Sequence, residues 1–386
     1  MKTLFSRLGR LVHRPREQVC PQFSRLQLAA RPGGRAGARS TRGGPEMNKS
    51  KLCITSLVGA LVLVSAFTAS SGAEKYSDWS TPINLGQLVN STAMDRGPAI
   101  SKDGLSLYFA STRPGGVGGE DIYVSQRETR DSEWGPAMNL GPIINTTANE
   151  MVPAFSRDGH LLFFASNRLG GFGGVDIWVS RREHTHDDFA WQPAENLGAG
   201  VNSFSLDEGP SYFENDEVGV PQLYFSSSRL SGGPGSIFVS EQAADGSFGP
   251  AVLVLELSSL GNTRRPSIRH DGLEIFFGSE RPGIPNSQDL WVATRETVFD
   301  AWSEPIHLGS TLNSELIDVQ PYISSDRETL FFASNRPGGG PTDLYMSTRT
   351  KLSTSEGAVA ASAASDSRRW PTLSASILMW FSAMGV

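Results

Sequence analysis

One sequence pattern returns five times in this chain, and it restricts the fold more than any other feature. An apolar run ends in Ser-x-Arg at Leu107–Arg113, Leu162–Arg168, Leu223–Arg229, Ile275–Arg281 and Leu330–Arg336. A Gly-rich turn follows each, and then a second apolar run that opens at Asp121, Asp176, Ser236, Asp289 and Asp343. Successive openings lie 55, 60, 53 and 54 residues apart. A period of that length marks a repeat architecture, in which no unit buries its apolar face alone.

Each unit reads as four short strands. In the first, they are expected around Pro98–Ser101, Leu105–Ser111, Asp121–Ser125 and Trp134–Leu140. Asp-Gly pairs at Asp103-Gly104, Asp158-Gly159 and Asp271-Gly272 mark tight hairpins that need a positive φ. Aromatic and β-branched residues fill the runs, as suits strands covered on both faces by neighbouring units. Four-stranded units arranged radially make a β-propeller. The fourth-strand pattern Trp-x-x-Pro-x-x-Leu-Gly also occurs at Trp79–Gly86, ahead of any first strand, whereas the last unit ends at Tyr345–Arg349 without a fourth strand. The N-terminal strand is therefore expected to complete the last unit, closing an all-β ring of five blades with no open edge.

The combination Pro-x-x-Ser-x-Asp-Gly-x-x-Leu-x-Phe-Ala-Ser-x-Arg, Gly-Gly, Asp-Ile/Leu-Tyr/Trp-Val-Ser resembles the TolB-type (WD-like) β-propeller repeat across Trp79–Arg349. The resemblance implies an extracytoplasmic bacterial propeller. It implies no single activity, since such propellers include periplasmic protein-binding modules and related ones are enzymes.

Residues 1–46 are rich in Arg and read as an upstream extension. At Met47 an export signal begins: Lys49 and Lys51, an apolar stretch Leu52–Thr68, and small residues Ser71-Gly72-Ala73, so that the mature chain starts at Glu74. An uncleaved anchor at 52–68 is the alternative. Both cysteines, Cys20 and Cys53, precede Glu74, which leaves the propeller without disulfides. From Glu74 onward the chain has 22 Lys and Arg against 38 Asp and Glu, a formal net charge of −16. That disfavours nucleic acid and anionic membranes as partners. The Ala/Ser-rich tail, 351–386, is expected to be disordered.

Three residues before each first-strand proline stand Asp95, Glu150, Asp207, Thr263 and Asp318, and an Asn stands eight before it at Asn90, Asn145, Asn202 and Asn313. Four acids at equivalent positions near the channel mouth suit a hard cation, with Ca²⁺ the candidate cofactor, or a carboxylate pair for glycosidic chemistry. The structural alternative is that each acid caps its own loop. The five Ser-x-Arg arginines are expected to pair with Asp121, Asp176, Asp289 and Asp343, leaving Arg229 free in the unit that has Ser236 instead. Two departures from the repeat stand out: extra residues at Glu214–Pro221, and Arg264-Arg265 entering an otherwise acidic mouth; His184-Thr185-His186-Asp187-Asp188 on the opposite rim is metal-like in composition and reads as a solvated turn. The Arg pair is a candidate anion site.

No Gly-x-Ser-x-Gly elbow, HExxH or cysteine nucleophile is present in the propeller. The expectation from sequence is a secreted or periplasmic, monomeric, non-catalytic binding or scaffold protein for a protein or polysaccharide ligand. Its ligand residues would be Asp95, Glu150, Asp207, Arg264, Arg265 and Asp318. The alternative is a carbohydrate-active hydrolase or lyase using the mouth carboxylates.

Overall fold

The computed structural model describes residues 75–353 apart from 231–234, 282–287 and 338. The Arg-rich extension, the export signal with both cysteines, and all but the first three residues of the tail lie outside the described residues. Five four-stranded antiparallel sheets form the blades of a β-propeller. The first strands are β2 (Asp95–Ile100), β6 (Glu150–Phe155), β10 (Asp207–Phe213), β14 (Thr263–Ile268) and β18 (Asp318–Ile323). They touch one another in ring order and line the axis. The short strand β1 (Ile83–Asn84) pairs with β20 (Asp343–Thr348), so the N-terminal segment does complete the last blade. Lys351 is bridged to Tyr76, which carries the ordered fold into the start of the tail. Among the described residues no helix is long and apolar enough to cross a membrane.

The core lies between blades, as a repeat that cannot bury itself requires. Tyr108 of the first blade packs edge-on against Phe155 and Trp191 of the second. Val89, Phe109 and Tyr123 share a cluster with Phe331 and Leu344 across the closing seam. The Asp-Gly turns carry the expected positive φ, +80° at Gly104 and Gly159 and +75° at Gly272.

Fourth strands are much shorter than the sequence suggests. Only Met138–Asn139 forms the ladder expected over Trp134–Leu140. The repeated Trp is instead a plug under an arginine. Arg127 lies 4.3 Å from the Trp134 ring centre, with Arg182 over Trp191, Arg295 over Trp302 and Arg349 over Trp79 in the same role. Cation–π attraction and burial of the indole hold that segment, so it needs few backbone bonds.

The inner strands carry a feature that the sequence reading did not anticipate. Each slips register just before its proline. The residue at the slip has a left-handed φ: +62° at Gly97, +48° at Val152, +64° at Gly209, +56° at Arg265 and +57° at Gln320. For a β-branched or long side chain that conformation is strained. It turns five consecutive backbone bulges inward around one mouth of the channel. Glycine in the same place in two units, Gly97 and Gly209, was the available signal.

Candidate functional site at the channel mouth

The four repeat acids do not open onto the mouth. Asp95, Glu150, Asp207 and Asp318 are fully buried. Asp95 accepts hydrogen bonds from the backbone and hydroxyl of Ser91, at 2.5 and 2.8 Å, and from the Arg113 guanidinium at 2.6 Å. Asp207 and Asp318 repeat this with Ser203 and Arg229, and with Ser314 and Arg336. Glu150 uses Thr146, Ser166 and Arg168. Each acid therefore knots its own loop. A fully buried carboxylate, with both oxygens already held by backbone or hydroxyl donors and a guanidinium, presents no oxygen to a cation or a sugar at the mouth. The reading of these four as an oxygen-lined Ca²⁺ or ligand site is corrected on that ground. Among the described residues no group of three or more His, Cys, Asp or Glu is placed to hold a metal ion.

The arginine partners are corrected as well. The acids on the first strands take the Ser-x-Arg arginines, and Arg229 is paired like the others. Asp121 and Asp176 instead cap the Gly-rich hairpins, accepting from the backbone of Val117 and Gly118, and of Phe172 and Gly173. The unit without a first-strand acid is the fourth, where Thr263 bonds to neighbouring hydroxyls at 3.1 and 3.2 Å. There Arg281 donates to the Leu257 carbonyl, and its Nε has no partner. Burial pushes Arg281 below the usual guanidinium range. In the His184–Asp188 stretch His184, His186 and Asp187 are exposed, and only Asp188 is buried, bonded to Arg182, Tyr108, Ser106 and Gln126.

What reaches the axis is the residue after each of those five positions. They are Arg96, Met151, Glu208, Arg264 and Val319, four residue types in five blades, each following a position that is an acid in four blades. Arg96 grips Glu120 with its fork, Nε and Nη2 donating to the two carboxylate oxygens at 2.6 and 2.5 Å. That hydrogen bond raises Arg96 above its ordinary pKa, with burial opposing it. Glu208 accepts from Arg265 Nη2 at 3.0 Å, and Arg264 Nη1 stands 3.7 Å from its other oxygen. Burial pushes Glu208 up, but the charges of Arg265 and Arg264, the Arg265 hydrogen bond and the charge of Arg96 outweigh it. Glu208 is therefore held below the usual carboxylate range. The Arg pair singled out in the sequence does enter an acidic setting, but the acid that meets it is Glu208, one residue beyond the expected Asp207.

This network is incompletely satisfied. Glu208 Oε1, Arg264 Nε, Arg265 Nε and Gln320 Nε2 are buried without hydrogen-bond partners. The Gln320 carbonyl accepts from the Gly97 backbone at 2.9 Å. Unpaired buried polar atoms are rare in folded proteins and mark functional or strained sites. The side chains of Arg96 and Arg264 remain 24% and 31% exposed, so solvent reaches the network.

No protein-family model matches the chain, and no curated protein matches it. Solved structures do. An endo-arabinase from Bacteroides thetaiotaomicron aligns at 19% identity and a TM-score of 0.49, over 72% of this chain and 99% of that one. An α-L-arabinofuranosidase from Lactobacillus brevis aligns at 13% and 0.48, over 70% and 94%. The α-L-arabinofuranosidase of Podospora anserina aligns at 11% and 0.45, over 72% and 97%. These likenesses concern the ring. The proteins named are an endo-arabinase and arabinofuranosidases, not binding or scaffold proteins, so the non-catalytic expectation finds no support among them.

Proposed function

We propose that the protein is an exported carbohydrate-active hydrolase working at this mouth, with Glu208 and Glu120 as its two carboxyls. The observation that carries the reading is Arg96, which holds Glu120 in its fork while its charge also acts on Glu208. Glycosidic hydrolysis needs two carboxyls about one bond, one ionised and one able to deliver a proton. Glu208, kept ionised by three guanidiniums, is the base for the attacking water. Glu120, held in the fork of Arg96, is assigned the part of proton donor.

Charge selects the substrate class. Three guanidiniums face two carboxylates, leaving one positive charge in excess. A neutral sugar would leave that charge beside a developing oxocarbenium ion, whereas a carboxylated sugar cancels it. The reading therefore commits to an acidic polysaccharide. The same excess favours a second reading, elimination from a uronate with Glu208 as the base, because guanidiniums on a carboxylate ease removal of the neighbouring proton.

The test is turnover of uronate-containing and neutral polysaccharides. A new reducing end without an unsaturated product marks hydrolysis, and ultraviolet absorbance from an unsaturated product marks elimination. Glu208→Gln should lower either by roughly 100-fold or more while the fold persists. Folded protein that turns over no polysaccharide, or only neutral ones, overturns the reading.

A further inference from the structure

The opposite end of the channel carries a second constellation. The five first strands end there, and four of them lead into a turn whose flanking residues are tied down. Ser101 bonds to Asp103 at 2.6 Å, Ser156 to Asp158 at 2.6 Å, and Arg269 to Asp271 at 2.7 and 2.8 Å. Ser324 holds Asp326 in the same way. Between the tied residues, and at the matching place after the first strand of the third blade, lies one position that none of these bonds uses. It is Lys102, Arg157, Glu214, His270 and Ser325 in the five blades, a different residue each time. All five line one cavity of about 70 Å³ over an apolar floor that includes Phe155 and Tyr322. Flanking residues that repeat serve the turn. A position that differs in all five blades, and whose side chains meet in a cavity, is where a specific ligand would be read.

Size and charge define that ligand. The space is several times what one water needs and well below the range of pockets that hold a sugar ring or a drug-sized molecule. It admits a group of a few heavy atoms. Among the described residues, neither the Lys102 ammonium nor the Arg157 guanidinium has an ion-pair partner, in a chain whose propeller is strongly acidic. Both cations act on His270. Burial is the first cause that lowers its pKa, and the charges of Arg157, Arg327 and Lys102 add to it against Asp271. His270 therefore stands neutral near pH 7, able to donate one hydrogen bond. Glu214 is the single carboxyl in the ring of five, and its Oε2 takes the Arg157 backbone N–H at 3.1 Å. Burial and the neighbouring Asp158 raise it above the usual carboxylate range, opposed by that hydrogen bond and by the Arg157 charge.

We propose that this far mouth binds one small oxyanion, a carboxylate or phosphate group, between Lys102 and Arg157, with His270 as a further donor; the Ser325 hydroxyl is engaged with the Lys102 carbonyl at 2.7 Å. The site is independent of the carboxyl pair at the other end of the channel. Glu214, supplied by the blade whose loop departs from the repeat, competes with the ligand for the same donors and limits affinity.

Calorimetric titration of the full-length protein at low ionic strength tests this, using inorganic phosphate, acetate and glucuronate as probes. Saturable binding of at least one probe is expected. It should weaken at least tenfold in Lys102→Ala/Arg157→Ala, where both side chains are exposed and folding is not at stake, and tighten severalfold in Glu214→Gln. Preference for phosphate assigns the site to free phosphate. Preference for glucuronate over acetate assigns it to the carboxylate of an acidic sugar. Linear, non-saturating heats with all three probes, or saturable binding that the double variant leaves unchanged, overturn the proposal.

Discussion

Asn90 and Leu344 are 254 residues apart in sequence and joined by two hydrogen bonds. The Leu344 backbone N–H donates to Asn90 Oδ1 at 2.8 Å, and Asn90 Nδ2 donates to the Leu344 carbonyl at 3.0 Å. Asn145, Asn202 and Asn313 make the same pair of bonds to Ile122, Ile177 and Leu290, but across only 23 to 25 residues. The repeated Asn thus fastens the third strand of four of the five blades to the loop that leads into the next blade, and Asn90 does so across the seam where the ring closes.

Asn90→Ala is expected to lower stability by about 1–3 kcal/mol, the usual cost of stranding buried backbone partners. Urea unfolding followed by tryptophan fluorescence measures it. A loss at Asn90 well below that at Asn145→Ala would show that the seam is not held through this residue.

Arg113→Met and Arg281→Met should separate sharply. The first strands the buried Asp95 carboxylate and is expected to cost about 3–5 kcal/mol. The second removes an arginine that has no acid partner, its blade carrying Thr263 where the others have an acid, and a well-packed apolar chain there should cost under about 1.5 kcal/mol. Midpoints of denaturant unfolding for the two variants decide the matter.

Glu208 sets a pH dependence with a definite sign. Its pKa is depressed in the folded state, so the unfolded chain binds that proton more readily. The stability it contributes is complete above the unfolded glutamate value, about 4.3, and falls as pH drops through the lower folded value. Glu208→Gln should flatten the acid limb of the melting temperature against pH relative to the wild type. An unaltered limb would mean that the carboxylate is not held by the arginines.

Gly209→Ala and Gly86→Ala test the bulge geometry. Both glycines have a positive φ, +64° and +78°. A Cβ at Gly209 would lie 2.8 Å from the Arg265 backbone, whereas at Gly86 nothing is within 4 Å. The Gly86 variant should lose about 1 kcal/mol, the conformational cost alone. The Gly209 variant should lose clearly more, because backbone must move, and thermal unfolding of the pair checks the ranking.

The ring was legible because its causes are local and repeated: the apolar runs, the Asp-Gly turns and the displaced Trp79–Gly86 segment. The knotting role of Asp95, Glu150, Asp207 and Asp318 could be stated from sequence, but not chosen over the cation reading. That choice turns on which arginine reaches which acid, and this is set by how loop and hairpin fold over one another. The axis residues escaped for a different reason. Arg96 and Glu208 sit one step along from the repeated acids, and the bulge that turns this stretch inward breaks strand alternation. A count by two along the strand therefore points to the wrong neighbour. Lys102, Arg157, Glu214, His270 and Ser325 were hidden by the reverse effect, since attention to what repeats passes over a place where nothing does.

Closure through β1 has a consequence for handling the molecule. Two residues, Ile83 and Asn84, cover the outer edge of β20. A cut before Gly86 would bare the backbone of Leu344–Met346 as an open template. The β1 of one molecule could then fill the last blade of another, and the ring would become a link in a swapped polymer. Intact, the same segment keeps each molecule separate, so proteolytic trimming at the N-terminus is a direct route from monodisperse protein to aggregate.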